Sequence, residues 1–147
     1  MKLGSQSGSA ALEFAIVLPI LLLLVLGIFE FGVLLYNKAV MTNACREGAR
    51  AGIVKDGPYG QTVPATQIEE IVINYCSRSD GSSRLITFGG STTPTVTSTA
   101  PCPGGAYSGT DLRVTVNFHH TYLALPDFVA GLIGGTDLTT ESVMRCE

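Results

Sequence analysis

A long uncharged apolar run dominates the N-terminal third of this 147-residue chain. No charged residue occurs from Phe14 to Phe29, and apolar residues resume after Glu30 as far as Tyr36. A run of this length is typical of a membrane-spanning helix. At 1.5 Å per residue the rise from Glu13 to Glu30 is roughly 26 Å, close to a hydrocarbon thickness of about 30 Å. The pattern therefore predicts one carboxylate near each membrane interface.

The helix is predicted to continue beyond the apolar run. No turn signal occurs between Tyr36 and Ile53, and the turn-forming triplet Asp56-Gly57-Pro58 then follows. A helix from Ser9 to Ile53 would measure roughly 65 Å, so about half of it would protrude from the bilayer. Pro19 predicts a kink within the apolar run, because it lacks a backbone donor and clashes with the preceding turn.

Small residues form a strip on the protruding part of this helix. Ala44, Gly48 and Gly52 recur at four-residue spacing and therefore share one face. Such a face lets another element approach closely. We expect the strip to pack against the sheet of the same chain, since small-residue helix faces outside the membrane usually serve close packing. Contact with a neighbouring subunit is the alternative.

A shorter helix is predicted after the turn. Segment 64–69 has the pattern of a capping box, in which Thr66 would accept a bond from a backbone amide and Glu69 would reach back. A helix from Gln67 to about Cys76 follows, with one apolar face that predicts packing on a sheet. The residues of that face are Ile68, Ile71, Val72 and Tyr75.

Alternation of apolar and polar residues predicts an antiparallel sheet. Residues 112–118 alternate most clearly, and every second residue from Leu138 to Cys146 shares one face of a final strand. We expect these two strands to form the centre of a sheet that packs against the long helix. The stretch 77–109, rich in Ser, Thr, Gly and Pro, carries two further possible strands at 85–88 and 95–99. The predicted fold class is α+β.

The cysteines indicate an oxidising compartment. Four are present, all beyond the apolar run and without the C-x-x-C spacing of a zinc or thiol redox site: Cys45, Cys76, Cys102 and Cys146. Two disulfides are the simplest interpretation, and three pairings are possible. We favour Cys76 with Cys102 and Cys45 with Cys146. The domain after the helix is then expected outside the cytoplasm.

Flanking charges alone favour the opposite orientation. Lys2 is the one positive residue before the apolar run, whereas Lys38, Arg46, Arg50 and Lys55 follow it. The positive-inside rule would place the later part of the chain in the cytoplasm. We give more weight to the cysteines and to the N-terminal leader, the segment before the apolar run that is described below. These two independent features both place the later part of the chain outside the cytoplasm.

Several function classes find no support in the sequence. The net charge of −3 and the lack of a basic stripe argue against nucleic-acid binding. His119 and His120 are neighbours on a predicted strand, so they point to opposite faces and cannot share one metal ion. No nucleophile elbow, phosphate loop or dinucleotide fingerprint occurs. We expect no enzyme activity, no metal and no cofactor.

The leader differs from an ordinary secretory signal, in which a small-residue cleavage site follows the apolar region. Here Gly8 and Ser9 precede it, and cleavage between them would retain the helix. This arrangement, with Glu13 at the fifth position after the cut, resembles the prepilin class of filament subunits. The resemblance implies that Glu13 of one subunit neutralises the free Ser9 amine of a neighbour during assembly. The alternative is that Glu13 is merely an interfacial acid.

Longer stretches carry a more specific resemblance. The segments 8–19, 29–32, 36–37 and 42–52 resemble the TadE-like minor pilins, or pseudopilins, of tight-adherence pili of the Flp, type IVb kind. The closing stretch 138–147 is similar more weakly. Two departures from the family pattern are a leader with Lys2 as its one basic residue, and Cys45 at a position where a small uncharged residue is usual.

The resemblance implies an order of segments and a set of partners. Residues 1–8 would be a leader, 9–54 the membrane-spanning and protruding helix, and 55–147 an extracytoplasmic domain. A prepilin peptidase would cut after Gly8, and the product would join other pilins at an assembly platform in the bacterial inner membrane, to build or prime an adhesive pilus. The alternative function is a signal-anchored extracytoplasmic binding domain that never assembles.

Overall fold

Two helices and a three-stranded antiparallel sheet make up the part of the chain that the structure describes. The computed structural model describes residues 6–53, 63–99, 102, 110–122 and 135–146. The elements are α1 (Gln6–Ile53), α2 (Ala65–Cys76), β1 (Thr95–Ser98), β2 (Asp111–His120) and β3 (Thr136–Arg145). This arrangement confirms the predicted α+β class with a long N-terminal helix. The predicted turn at 56–58 lies outside the described residues.

Helix α1 has two parts with different surroundings. Its 48 residues span about 72 Å, and Pro19 lies within the helix without interrupting it. The apolar part has a mean hydropathy of 2.8, and none of it is buried within the chain. From Glu30 onward, buried residues recur every three or four positions. They are Glu30, Val33, Asn37, Met41, Ala44, Cys45, Gly48, Ala49 and Gly52. The domain therefore covers only the second part of the helix.

Helix α2 begins two residues earlier than predicted, and the capping box is wrong. Pro64 occupies the cap position, and no side chain caps the helix. The Pro64 carbonyl accepts bonds from the Gln67 amide at 3.0 Å and the Ile68 amide at 3.2 Å. Thr66 consequently lies inside the first turn. Proline suits a helix start, because its ring fixes φ near the required value and its missing donor is not needed there.

Ile68, Val72 and Cys76 are the buried face of α2. This face packs mainly on α1, with a smaller contact to β1, whereas we expected packing on the sheet. The strip of small residues on α1 explains the difference, because it lets α2 approach the helix more closely than large side chains would allow.

The sheet has the order β1-β2-β3 among the described residues. In β2, the alternate residues Leu112, Val114, Val116, Phe118 and His120 are buried and face α1. In β3, the even-numbered residues are the less exposed ones, as predicted. The prediction of a strand at 95–99 is confirmed for Thr95–Ser98. The prediction at 85–88 is wrong, since that segment forms a loop in which the Ile86 amide donates to the Asn37 side chain at 2.9 Å.

The predicted disulfide pairing is also wrong. Cys102 is bonded to Cys146, with 5.6 Å between their Cα atoms, while Cys45 and Cys76 are free and buried. The Cys45 sulfur lies 3.3 Å from the hydroxyl of Thr140 in β3. Cys146 follows Thr140 by six residues, roughly 20 Å along an extended strand, so Cys45 cannot reach it.

Candidate assembly site on the long helix

Residues Gly8, Ser9 and Glu13 lie together near the start of α1. All three are exposed, and the Ser9 hydroxyl donates to Glu13 Oε1 at 3.4 Å. The contact joins positions one turn apart, since residues four apart share a helix face. The structure therefore places the predicted cleavage point and the predicted assembly carboxylate on one uncovered surface of the chain.

The second acidic residue of the apolar region has a different environment. Glu30 is only 4% exposed, and its Oε1 lies 2.9 Å from Nε2 of His120, which is 0% exposed. The other carboxylate oxygen, Oε2, is buried and has no hydrogen-bond partner among the described residues. Glu30 is therefore an internal residue that joins α1 to the end of β2.

His120 has oxygen atoms at both ring nitrogens. Nε2 faces Glu30, and Nδ1 lies 3.1 Å from the Ile86 carbonyl oxygen. A carbonyl oxygen can only accept, and this contact is shorter than the 3.5 Å between Nδ1 and Asn37 Nδ2, so the geometry favours a proton on Nδ1. With Nδ1 protonated, Nε2 and Oε1 share a second proton. The pair then holds either imidazolium and carboxylate or imidazole and carboxylic acid. Both combinations are neutral overall, which lowers the cost of burial.

Asn37 completes the network two helical turns above Glu30. Its Nδ2 donates to the Ile86 carbonyl at 2.7 Å, and its Oδ1 accepts from the Ile86 amide at 2.9 Å. Asn37 Nδ2 also lies 3.5 Å from His120 Nδ1. The long helix thus holds Ile86 through both of its backbone groups. We call α2 and the three strands, with the described loops between them, the head domain. Through these polar contacts it is attached to α1 at Glu30 and Asn37.

Sequence reasoning missed this network. The prediction that His119 and His120 point to opposite faces is confirmed, because His119 is exposed and lies 2.6 Å from Asp137 Oδ1. A signal was nevertheless available. His120 occupies an inward position of β2 and Glu30 is the lone charge of an apolar stretch, and two buried ionisable groups of opposite type usually pair.

The small-residue strip packs within its own chain. A Cβ atom at Gly48 would overlap Val72 of α2, and one at Gly52 would overlap Leu112 of β2 and lie 2.7 Å from Ile68 Cδ1. Ala44 is likewise fully buried. The expectation of packing inside the chain is confirmed, with α2 as a partner in addition to the sheet. The strip is therefore part of the core.

The two free cysteines lie in the same core. Burial raises the pKa of the Cys76 thiol to about 11, and the neighbouring Cys45 sulfur adds to the rise. Burial also raises the pKa of Cys45, although the Thr140 hydroxyl opposes the shift. Both thiols are thus neutral and unreactive near neutral pH. Among the described residues, no group of three or more His, Cys, Asp or Glu side chains could hold a metal ion.

Comparison with known proteins supports the assignment of the N-terminal segment. The family described as TadE-like protein matches residues 8–50. This range contains Gly8, Glu13, Glu30 and Asn37, and thus both the exposed and the buried polar positions of α1. No curated protein and no solved structure matches the chain. The segment 8–50 is therefore TadE-like, which confirms the resemblance of this chain to the TadE-like family of tight-adherence systems.

Proposed function

We propose that this chain is a structural minor pilin of a tight-adherence pilus. A TadE-like segment indicates a pilus-associated protein with a candidate membrane anchor. The observation that carries the proposal is the division of α1 at Glu30. Below this residue the helix is apolar and uncovered by its own domain, and above it the helix is packed into the domain. A filament core needs helices that can exchange lipid contacts for contacts with other subunits, while the domain stays intact.

Glu13 would fix the axial alignment, or register, of neighbouring helices in the filament. It is the one charged residue between Ser9 and Phe29, and it is exposed. Cleavage after Gly8 by a prepilin peptidase creates an amine at Ser9. The Glu13 carboxylate of a neighbouring subunit would pair with that amine, and such a pair is strong in a low-dielectric environment. A shifted register would leave both charges unpaired, which costs several kcal/mol.

The protruding part of α1 offers a second contact surface. The face turned away from the domain has a shallow groove lined by both apolar and polar side chains. Its lining includes Lys38, Asn43 and Arg46, and these three side chains are exposed. Other pilin subunits or the inner-membrane assembly platform are the partners we propose for it. The disulfide of the head domain agrees with an extracytoplasmic location.

The first test is the N-terminal mass of the mature protein from isolated membranes and from sheared surface material. We expect a chain that begins at Ser9 in both fractions. An intact chain that begins at Met1 and stays in membranes would refute the proposal and support an anchored binding domain instead. A second test compares Glu13→Leu with Gly32→Ala, which meets no atom within 4 Å. The first variant should be cleaved yet missing from filaments, and the second should assemble normally.

A further inference from the structure

The lower edge of the head domain lies beside the end of the apolar span. We define this edge as loop 86–90 together with residues 120–122. It is fixed to α1 through the Ile86 backbone at Asn37 and through His120 at Glu30. Glu30 follows Phe29 directly, and Asn37 lies about 10 Å higher along the helix. The edge is therefore level with the first two turns of helix above the uncharged run.

The side chains at this level are apolar on both sides of the helix. In the loop, Ile86 is 37% exposed and Phe88 is 36% exposed. On the far side of α1, Phe31 is 61% exposed and Leu35 is 52% exposed. Loop 86–90 and residues 121–122 carry no charged side chain. Exposed apolar side chains are thus present at this level both on the lower edge and on the far side of the helix.

The loop is held in place as a formed structure. The Thr87 hydroxyl accepts from the Thr121 amide at 3.0 Å and donates to the Gly89 carbonyl at 3.0 Å. The Phe88 amide donates to the Thr121 carbonyl at 3.4 Å. Because these bonds satisfy polar groups of the backbone, the loop can enter a poorly hydrated layer at lower cost. Its two apolar side chains are left exposed by the fold.

From this geometry we infer that the lower edge rests in the interfacial layer of the outer leaflet, with Ile86 and Phe88 inserted among the lipid head groups. The inference rests on the proposed membrane anchoring of α1. The interfacial layer is about 5–7 Å thick on each side of the hydrocarbon core. If the hydrocarbon ends near Phe29, the part of the edge at Glu30 and His120, with Phe88 bonded to the adjoining Thr121, lies within this layer. The Asn37 attachment, about 12 Å above Phe29, lies beyond it. Lys38 is exposed directly above this level, where an ammonium group can reach lipid phosphates.

The Glu30–His120 pair would then be shielded from water on two sides. Lipid would cover the apolar span below it, and the inserted loop would cover the route from water beside it. The neutral charge of the pair suits such a position, because neither water nor a counterion is needed to balance it. The inference thus gives a physical reason for placing a buried ionic pair at the base of the domain.

Fluorescence of single tryptophan variants tests the inference, since the natural chain contains no tryptophan. The full chain is reconstituted into phosphatidylcholine and phosphatidylglycerol vesicles that carry a nitroxide on the head group or on the acyl chain. The test variant is Phe88→Trp, with Ile86→Trp as a second reporter. Phe29→Trp reports the span, and Val143→Trp, at an exposed site of β3, reports the far part of the domain.

We expect quenching of Trp at 88 or 86 by the head-group nitroxide to exceed that at 143 by about twofold or more, with blue-shifted emission. Acyl-chain nitroxide should quench position 29 most. If positions 86 and 88 are quenched no more than 143, while position 29 is quenched, the inference is overturned and the anchor stands. If position 29 is not quenched, the anchor itself is refuted. Circular dichroism verifies the fold of each variant.

Discussion

The Glu30–His120 pair is expected to be the main polar determinant of how the head domain attaches to the helix. Substitution of His120 by Leu would leave the Glu30 carboxylate buried, and its Oε2 already has no hydrogen-bond partner in the described part of the chain. Loss of one member of a buried ion pair costs about 3–5 kcal/mol. Substitution of Glu30 by Leu would leave one imidazole nitrogen without a partner, which costs about 1–3 kcal/mol.

The double variant should be more stable than the sum of the single effects suggests. When both partners become apolar, no buried polar group of the pair is left unsatisfied, so the loss should stay below about 2 kcal/mol. The coupling energy from the double-mutant cycle is then at least about 2 kcal/mol. Asn37 still holds the Ile86 carbonyl in every variant, so the loop keeps one of its bonds to α1.

The buried thiols of Cys45 and Cys76 provide the assay. Both are free and inside the core, so a maleimide reagent reacts only when the domain opens. In detergent micelles, the labelling rate of the His120→Leu variant should rise roughly a hundredfold to a few thousandfold, which corresponds to the expected loss. The disulfide does not react with the reagent, so it adds no background.

An exposed pair of similar chemistry is the matched control. His119 and Asp137 also form a carboxylate–imidazole contact, but both are exposed. The His119→Leu variant should lose less than about 1 kcal/mol, because exposed ion pairs contribute little. If the effects at positions 30 and 120 add to within about 0.5 kcal/mol, the two groups do not interact and the reasoning is refuted.

Three further predictions follow from the core and the disulfide. Gly48→Ala should lower the free energy of unfolding by about 1–3 kcal/mol, because the added Cβ overlaps Val72. Gly32→Ala, the control, should not lower it, and equal urea midpoints for the two variants would contradict the prediction. Because burial raises the pKa of Cys76 from 9.0 to about 11 in the folded state, its contribution to stability should be fully present below pH 9 and fall by about 1.4 kcal/mol per pH unit between pH 9 and 11. The urea midpoint should fall over this range, and a midpoint unchanged at pH 10 would disprove it. Peptide mapping without reduction should recover Cys102 linked to Cys146, and reduction should cost about 4 kcal/mol of stability; a Cys76–Cys102 peptide would overturn the pairing.

Local patterns predicted the long elements well, because their signals repeat over many residues. The span and its extension to Ile53 follow from an unbroken apolar run and the lack of turn residues. Strand β2 follows from its strict alternation of buried and exposed residues. In such elements the periodicity is set by burial, so sequence and structure report the same physical quantity.

The wrong or missing predictions concern features that depend on a contact between residues far apart in the sequence. The apolar residues of segment 85–88 predicted a strand, but the segment is a loop whose Ile86 backbone bonds to Asn37, 49 positions away. Cys102 and Cys146 meet because β1 and β3 both pair antiparallel with β2 and both end near its start, which the cysteine spacing does not reveal. The contact of Glu30 with His120 spans 90 positions. Each needed the tertiary arrangement before it could be predicted.

The link between Cys102 and Cys146 has a mechanical consequence. A strand at the edge of a sheet usually fails under load by peeling from one end, one pair of hydrogen bonds at a time. Strand β3 ends at Arg145, directly before the linked cysteine, so peeling cannot begin from that end while the bond is intact. When the head domain is pulled, the peeling of β3 would have to start at Thr136, opposite His120. Under load, β3 would therefore open from the base of the domain before the disulfide-linked end.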